Sequence, residues 1–188
     1  MLRRCLFALG ALVFSTSTAP AQDCGAGRIA WAPGLAVTIE DFRAAPGDAR
    51  HTAEANTGIA TESRAGADAS TFVVRAETFF DPCKSWFRRT DRSAETLAHE
   101  QLHFDITEVY ARRLVARYAA EIDSHAAFLR KHARLYDQVW AESRRTQERY
   151  DREVYDDPAA QATWSEWVRQ ELAATRGYAN KEVVLPMR

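Results

Sequence analysis

His99, Glu100 and His103 form an H-E-x-x-H pentad. The surrounding run, Thr96-Leu-Ala-His-Glu-Gln-Leu-His-Phe-Asp-Ile-Thr-Glu108, has the spacing of an amphipathic helix. A helix turns about 100° per residue, so the two histidines stand one turn apart, about 40° from each other on one face. Two imidazoles so placed can hold one Zn²⁺. The glutamate between them points beside the ion, where it can take a proton from water activated there. The spacing therefore points to zinc-dependent hydrolysis. The competing reading is a solvated helix face, or a pair of core histidines satisfied by neighbours. Ile106 and Tyr110 project on the same side as the histidines and turn that face toward the protein body.

A catalytic zinc takes three protein ligands and keeps a position open for water. Asp105 and Glu108 follow on the same helix but project away from the histidine face. His125 and His132 lie seven residues apart on a charged helix and read as surface histidines. Asp105, Glu108 and Asp151 are candidates for hydrogen bonds that fix the imidazoles, with plain helix-surface carboxylates as the alternative. Tyr150 and Tyr155 are candidates for steadying an oxyanion, or core tyrosines with a wet hydroxyl.

The elements that must position these groups follow from periodicity. Residues 23–90 hold most of the glycine and proline. Turn signals fall at Pro33-Gly34, Pro46-Gly47, Gly58, Gly66 and Pro82, and Leu35–Ile39 and Thr71–Phe79 alternate as strands do. From Lys84 to Asp157 there is neither glycine nor proline, and apolar residues recur with a helical period. Asp91 or Ser93 caps the first helix, Asp123-Ser124 breaks it from the second, and Asp157-Pro158 opens a third that stops before Gly177. The expectation is an α+β domain, its β-rich N-terminal half packed on long helices. The Arg-rich stretch 144–152 alternates with acids and reads as a solvated face. Trp140, Trp164 and Trp167 read as helix-packing residues.

Arg3-Arg4, the apolar run Cys5–Phe14 and Ala19-Pro-Ala21 have the order of a secretory signal peptide, with cleavage expected after Ala21. The expectation is then 22–188 as a single domain in the periplasm or the medium, with no membrane attachment after cleavage; a retained N-terminal anchor is the other reading. Losing Arg3 and Arg4 takes Lys+Arg from 25 to 23 against 26 acidic residues, and with no basic stripe the balance argues against nucleic acid. Cys24 and Cys83 remain as an even pair, expected to form a disulfide in an oxidising compartment, with two buried thiols as the alternative.

The chain resembles a bacterial family of uncharacterised secreted proteins usually described as zinc-dependent proteases, the domain of unknown function numbered 922. The resemblance runs through Trp31, Leu35, Asp41-Phe42, Ala53, Thr57-Gly58-Ile59, Phe72 to Phe79 and Ser85-Trp86. It is sharpest at His99-Glu-Gln-Leu-His-Phe-Asp-Ile-Thr-Glu108 with Ala111-Arg112. A downstream family motif, Tyr-Asp-x-x-Thr-x-His-Gly followed by Gln and Trp, is matched by Tyr150-Asp151-Arg-Glu-Val154-Tyr-Asp156-Asp157, then Gln161 and Trp164. Here valine replaces threonine at 154, Asp156 takes the histidine position and Asp157 the glycine position. The resemblance implies a zincin-like fold with the pentad on the active-site helix. It also implies Zn²⁺ held by His99, His103 and Asp156, with Glu100 as general base acting on a protein or peptide substrate. Asp156 as a cap of the following helix is the other reading. A peptidoglycan amidase or endopeptidase, and a non-catalytic exported binding domain with a degenerate metal site, remain the alternatives.

Overall fold

The computed structural model describes residues 24–25, 27–47, 51–88, 90, 93–155, 157 and 159–188. The expected leader at 1–21, the cap candidate Asp91, the ligand candidate Asp156 and Pro158 lie outside them.

Two short strands, β1 (Ile29–Ala30) and β2 (Ala53–Glu54), precede the long hairpin β3 (Thr57–Ala65) and β4 (Thr71–Phe80). After β5 (Trp86–Phe87) come α1 (Ala94–Glu121), α2 (His125–Tyr155) and α3 (Ala160–Ala174), and β6 (Glu182–Pro186) follows near the C-terminus. Strand β4 is the middle of an antiparallel sheet. It pairs β3 along one edge, from Thr57↔Phe80 to Ala65↔Phe72, and β6 and β1 in tandem along the other. A separate two-stranded ribbon pairs β2 with β5. The α+β class expected from the sequence is observed.

On β4 the alternate residues Phe72, Val74, Ala76, Thr78 and Phe80 are all buried, the period-2 pattern of a strand with one face on the core. That face packs on α1, whose residues from Ile106 to Val115 are buried on nearly every side except at Arg113. A helix enclosed in this way has lost its polar stripe because sheet, α2 and α3 surround it. The main core joins Ile59, Phe72 and Val74 of the sheet to Val109, Leu114, Leu135, Val139, Tyr150 and Trp164 of the helices. A smaller cluster of Val37, Phe42, Phe80, Phe87 and Phe104 sits under the β2–β5 ribbon.

Ser93 caps α1 by accepting from the Thr96 amide at 3.0 Å, and Ser124 caps α2 by accepting from the Ala127 amide at 3.1 Å. The break at Asp123-Ser124 thus lies where the sequence puts it. Asp157 accepts from the amides of Ala159 and Ala160 and turns the chain into α3. Because α2 runs back antiparallel to α1, the residue pairs that meet fall from 118 with 132 to 110 with 146 and 103 with 147.

Leu35–Ile39 departs from expectation: it is not a strand, and a 3₁₀ turn begins at Ile39. The Val37 amide donates to the Gln101 side-chain oxygen at 2.8 Å, and the Thr38 amide to Asp41 at 2.7 Å. Side chains satisfy the donors that a neighbouring strand would otherwise take. Strand β3 escapes detection because its second half, from Thr61 to Ala65, is exposed and polar.

Candidate metal centre

The first third of α1 brings His99 and His103 onto one face, their rings edge to face with centroids 4.7 Å apart and their Nε2 atoms 3.1 Å apart. From the C-terminal end of α2, Asp151 places Oδ1 3.1 Å from His99 Nε2 and 2.8 Å from His103 Nε2. Tyr150, the residue before it, is fully buried and fixes the approach of the two helices. Its ring stacks on His99 at 4.6 Å and meets His103 edge-on at 4.9 Å. Its hydroxyl shares a proton between Gln161 Oε1 at 2.6 Å and the His99 carbonyl at 3.3 Å.

Three donor atoms thus converge on one point. A tetrahedral zinc with bonds of about 2.0–2.2 Å sets neighbouring ligand atoms about 3.3–3.5 Å apart. The observed sides of 3.1, 3.1 and 2.8 Å are a few tenths shorter. A point about 2.1 Å from all three atoms exists, roughly 1 Å off their plane, so the residues fit the ion after a slight opening. The donor set, two imidazole nitrogens and a carboxylate oxygen, is one that zinc takes. The ion would be reachable, since the Asp151 side chain is 54% exposed and that of His99 25%.

Glu100 lies on the same turn and is 5% exposed. Its Oε2 accepts from the Ala55 amide at 2.7 Å, just beyond β2, which ties the short ribbon to the pentad helix. Burial pushes the Glu100 carboxyl above its ordinary range, against the opposing charges of His103 and His99 and the Ala55 hydrogen bond. A carboxylate so raised is a better proton acceptor near neutral pH, although a dication beside it pulls in the other direction. Burial works to lower His103, but the hydrogen bond and charge of Asp151, the charge of Glu100 and the Gln147 contact outweigh it and hold the ring up. Asp151 resists desolvation in the same way and ends below the usual carboxylate range, held there by both histidines.

The other sequence candidates serve elsewhere. Asp105 accepts from the Trp31 indole at 2.7 Å and from Gln101 at 3.0 Å, tying the N-terminal segment to α1 rather than orienting a histidine. Glu108 is fully buried and receives Thr78 at 2.7 Å, Arg112 at 2.8 Å and Lys181 at 3.0 Å, an ion cluster that joins α1 to β4 and to the approach to β6. His125 and His132 pack on Phe72 and Phe128 rather than joining the cluster. Tyr150 has its hydroxyl committed as above, and Tyr155 is 85% exposed.

Asp151 was legible only as one carboxylate among several. The stretch 144–152 is a solvated face at Arg144, Arg145, Glu148 and Arg149, but Gln147, Tyr150 and Asp151 line the site. A signal was present, because Val139, Ser143, Gln147, Tyr150 and Val154 repeat at helical spacing, and all are buried or half-buried. The tryptophans are packing residues as read, with Trp164 buried on Tyr150 and Trp167 at 5.4 and 5.3 Å between ring centroids along that chain.

Cys24 and Cys83 form a disulfide. Among the described residues no helix is long and apolar enough to cross a membrane. No family model matches the chain, and no curated protein or solved structure matches it either.

Proposed function

We propose that this chain is an exported zinc-dependent hydrolase of amide bonds, with His99, His103 and Asp151 as the metal ligands and Glu100 as the general base. The observation that carries the reading is the convergence of His99 Nε2, His103 Nε2 and Asp151 Oδ1 within 3.1 Å of one another. When bound, zinc supplies Lewis-acid polarisation of the scissile carbonyl and makes water acidic enough to react near neutral pH. Glu100 takes the proton of the attacking water and returns it to the leaving amine. The Ala55 amide holds one oxygen of that carboxylate, leaving the other for the proton. Tyr150 excludes water from beneath the His99 ring and keeps the turn of α1 in register with α2. The short ribbon tied to the pentad helix also supports a zincin-like arrangement. The disulfide supports export to an oxidising compartment.

The test is Glu100→Gln in the zinc-loaded protein, assayed on denatured protein and on cell-wall sacculi. The expected result is retained zinc with hydrolysis reduced roughly 10²–10⁴-fold, the share general-base catalysis supplies. Cleavage of protein by the unaltered chain assigns a peptidase, and fragment release from sacculi alone assigns a cell-wall amidase. Turnover unchanged in the variant removes Glu100 from the chemistry. A folded chain inert on both substrates overturns the hydrolase reading in favour of a binding domain.

A further inference from the structure

Gln147 is the half-buried polar residue on α2 whose place at the site no motif announces. Its Oε1 lies 2.5 Å from His103 Nδ1, on the side of the ring opposite the convergence point. Which end of the amide faces the ring is settled by its other contacts. Nε2 sits 3.0 Å from the His103 carbonyl, which can only accept, and 3.2 Å from Thr107 Oγ1. Thr107 spends its own proton on the His103 carbonyl at 2.9 Å, and Thr57 Oγ1 reaches it from the start of β3 at 2.7 Å. The amide nitrogen is therefore held by two acceptors, and the oxygen is left facing the ring. An oxygen at 2.5 Å from a ring nitrogen requires a proton between them, and only Nδ1 can carry it.

We infer that Gln147 is a positioning residue for the metal site, which keeps a proton of His103 on Nδ1 and so leaves Nε2, the nitrogen facing His99 and Asp151, as the one that gives up its proton to bind the ion. The inference rests on the metal reading given above. A metal-binding imidazole needs a partner on its second nitrogen to fix ring plane and tautomer. Here that partner is a neutral amide, anchored through Thr107 and Thr57 to β3. The amide accepts the hydrogen bond without taking the proton, so an ion that displaces the Nε2 proton held against Asp151 would meet a neutral imidazole. The arrangement also explains a polar side chain between the buried Ser143 and Tyr150 on the inner face of α2. A solvated glutamine has no reason to be there, and an apolar residue would leave Nδ1–H without an acceptor.

The experiment compares the mature protein with Gln147→Ala and Gln147→Glu. It has two readouts: the proton on His103 Nδ1 by nitrogen-15 NMR, metal-free and zinc-loaded, and zinc Kd by chelator competition. The expected result is a protected Nδ1 proton in the unaltered protein in both states. Gln147→Ala is expected to lose that protection and to raise Kd by about 10–100-fold, the usual cost of removing such a partner. Gln147→Glu keeps an acceptor for Nδ1 but sets an oxygen against the His103 carbonyl, so it should recover the protected proton and only part of the loss in Kd. An Nδ1 without a proton in the zinc-loaded protein overturns the inference. So does Gln147→Ala with Kd unchanged per folded molecule and only a lower melting temperature, which is the mark of a packing role. Failure of the metal reading looks different. The unaltered protein then takes up no zinc while the protected Nδ1 proton persists and disappears in Gln147→Ala, which supports the orientation by Gln147 on its own.

Discussion

Replacing Asp151 by alanine separates the proposed ligand set from the one that the sequence resemblance implied. Asp151 Oδ1 lies within 3.1 Å of both histidine nitrogens, so the variant removes one of three donors and leaves the rings in place. The side chain is 54% exposed, so its loss opens no core cavity. Zinc held by four protein ligands is worth about 10–16 kcal/mol near neutral pH, or about 3 kcal/mol for each ligand. At about 1.4 kcal/mol per decade, the loss of Asp151 corresponds to a rise in Kd of roughly 100-fold. Part of this is returned, because without the carboxylate His103 holds its competing proton less tightly. The assay is competition with a chromophoric chelator at fixed pH, with circular dichroism to confirm the fold. Asp156→Ala, measured beside it, is expected to leave Kd where it was. The reasoning is refuted by a wild-type Kd in Asp151→Ala, and equally by a large loss in Asp156→Ala alone.

Two further outcomes concern the frame around the site. Glu108→Ala leaves the buried cations Arg112 and Lys181 without their counter-charge, and should cost about 3–5 kcal/mol in denaturant unfolding, with zinc per folded molecule unchanged; a cost under about 1 kcal/mol would show that the cluster relaxes or takes up water. Burial, and then the nearby Tyr136, push the Tyr118 phenol well above its ordinary value. The stability of its neutral form is complete below about pH 10, the unfolded value, and falls as pH rises toward the folded one, by up to about 1.4 kcal/mol per pH unit. Tyr118→Phe should flatten that alkaline slope in chemical unfolding measured at about pH 8 and 11, and an unchanged slope assigns the loss to other groups.

The candidate site divides cleanly between what local sequence carries and what it does not. His99, Glu100 and His103 are legible because a helix fixes their relative directions through its own backbone geometry. The helix is legible in turn, since no glycine or proline interrupts residues 84–157, and Ser93 and Ser124 cap the starts of α1 and α2. Strand β4 is equally plain, with every second residue from Phe72 to Phe80 buried. Leu35–Ile39 shows the opposite case. Its alternation is that of a strand, but Gln101 of α1, far along the chain, took the amide a strand partner would have needed.

The sequence by itself thus determined the two imidazoles and the carboxylate between them, the long helices, the α+β class and the cysteine pair. Only the tertiary structure decided that Asp151 meets the histidines, that Glu108 belongs to an ion cluster with Arg112 and Lys181, and that Gln147 faces His103. The physical reason is distance along the chain. Residues four apart on one helix meet whatever surrounds them, whereas residues 44 or 52 apart meet only if two helices cross in one register. That register is set by Tyr150, a buried ring wedged against His99 and His103, and by the core residues packed behind it.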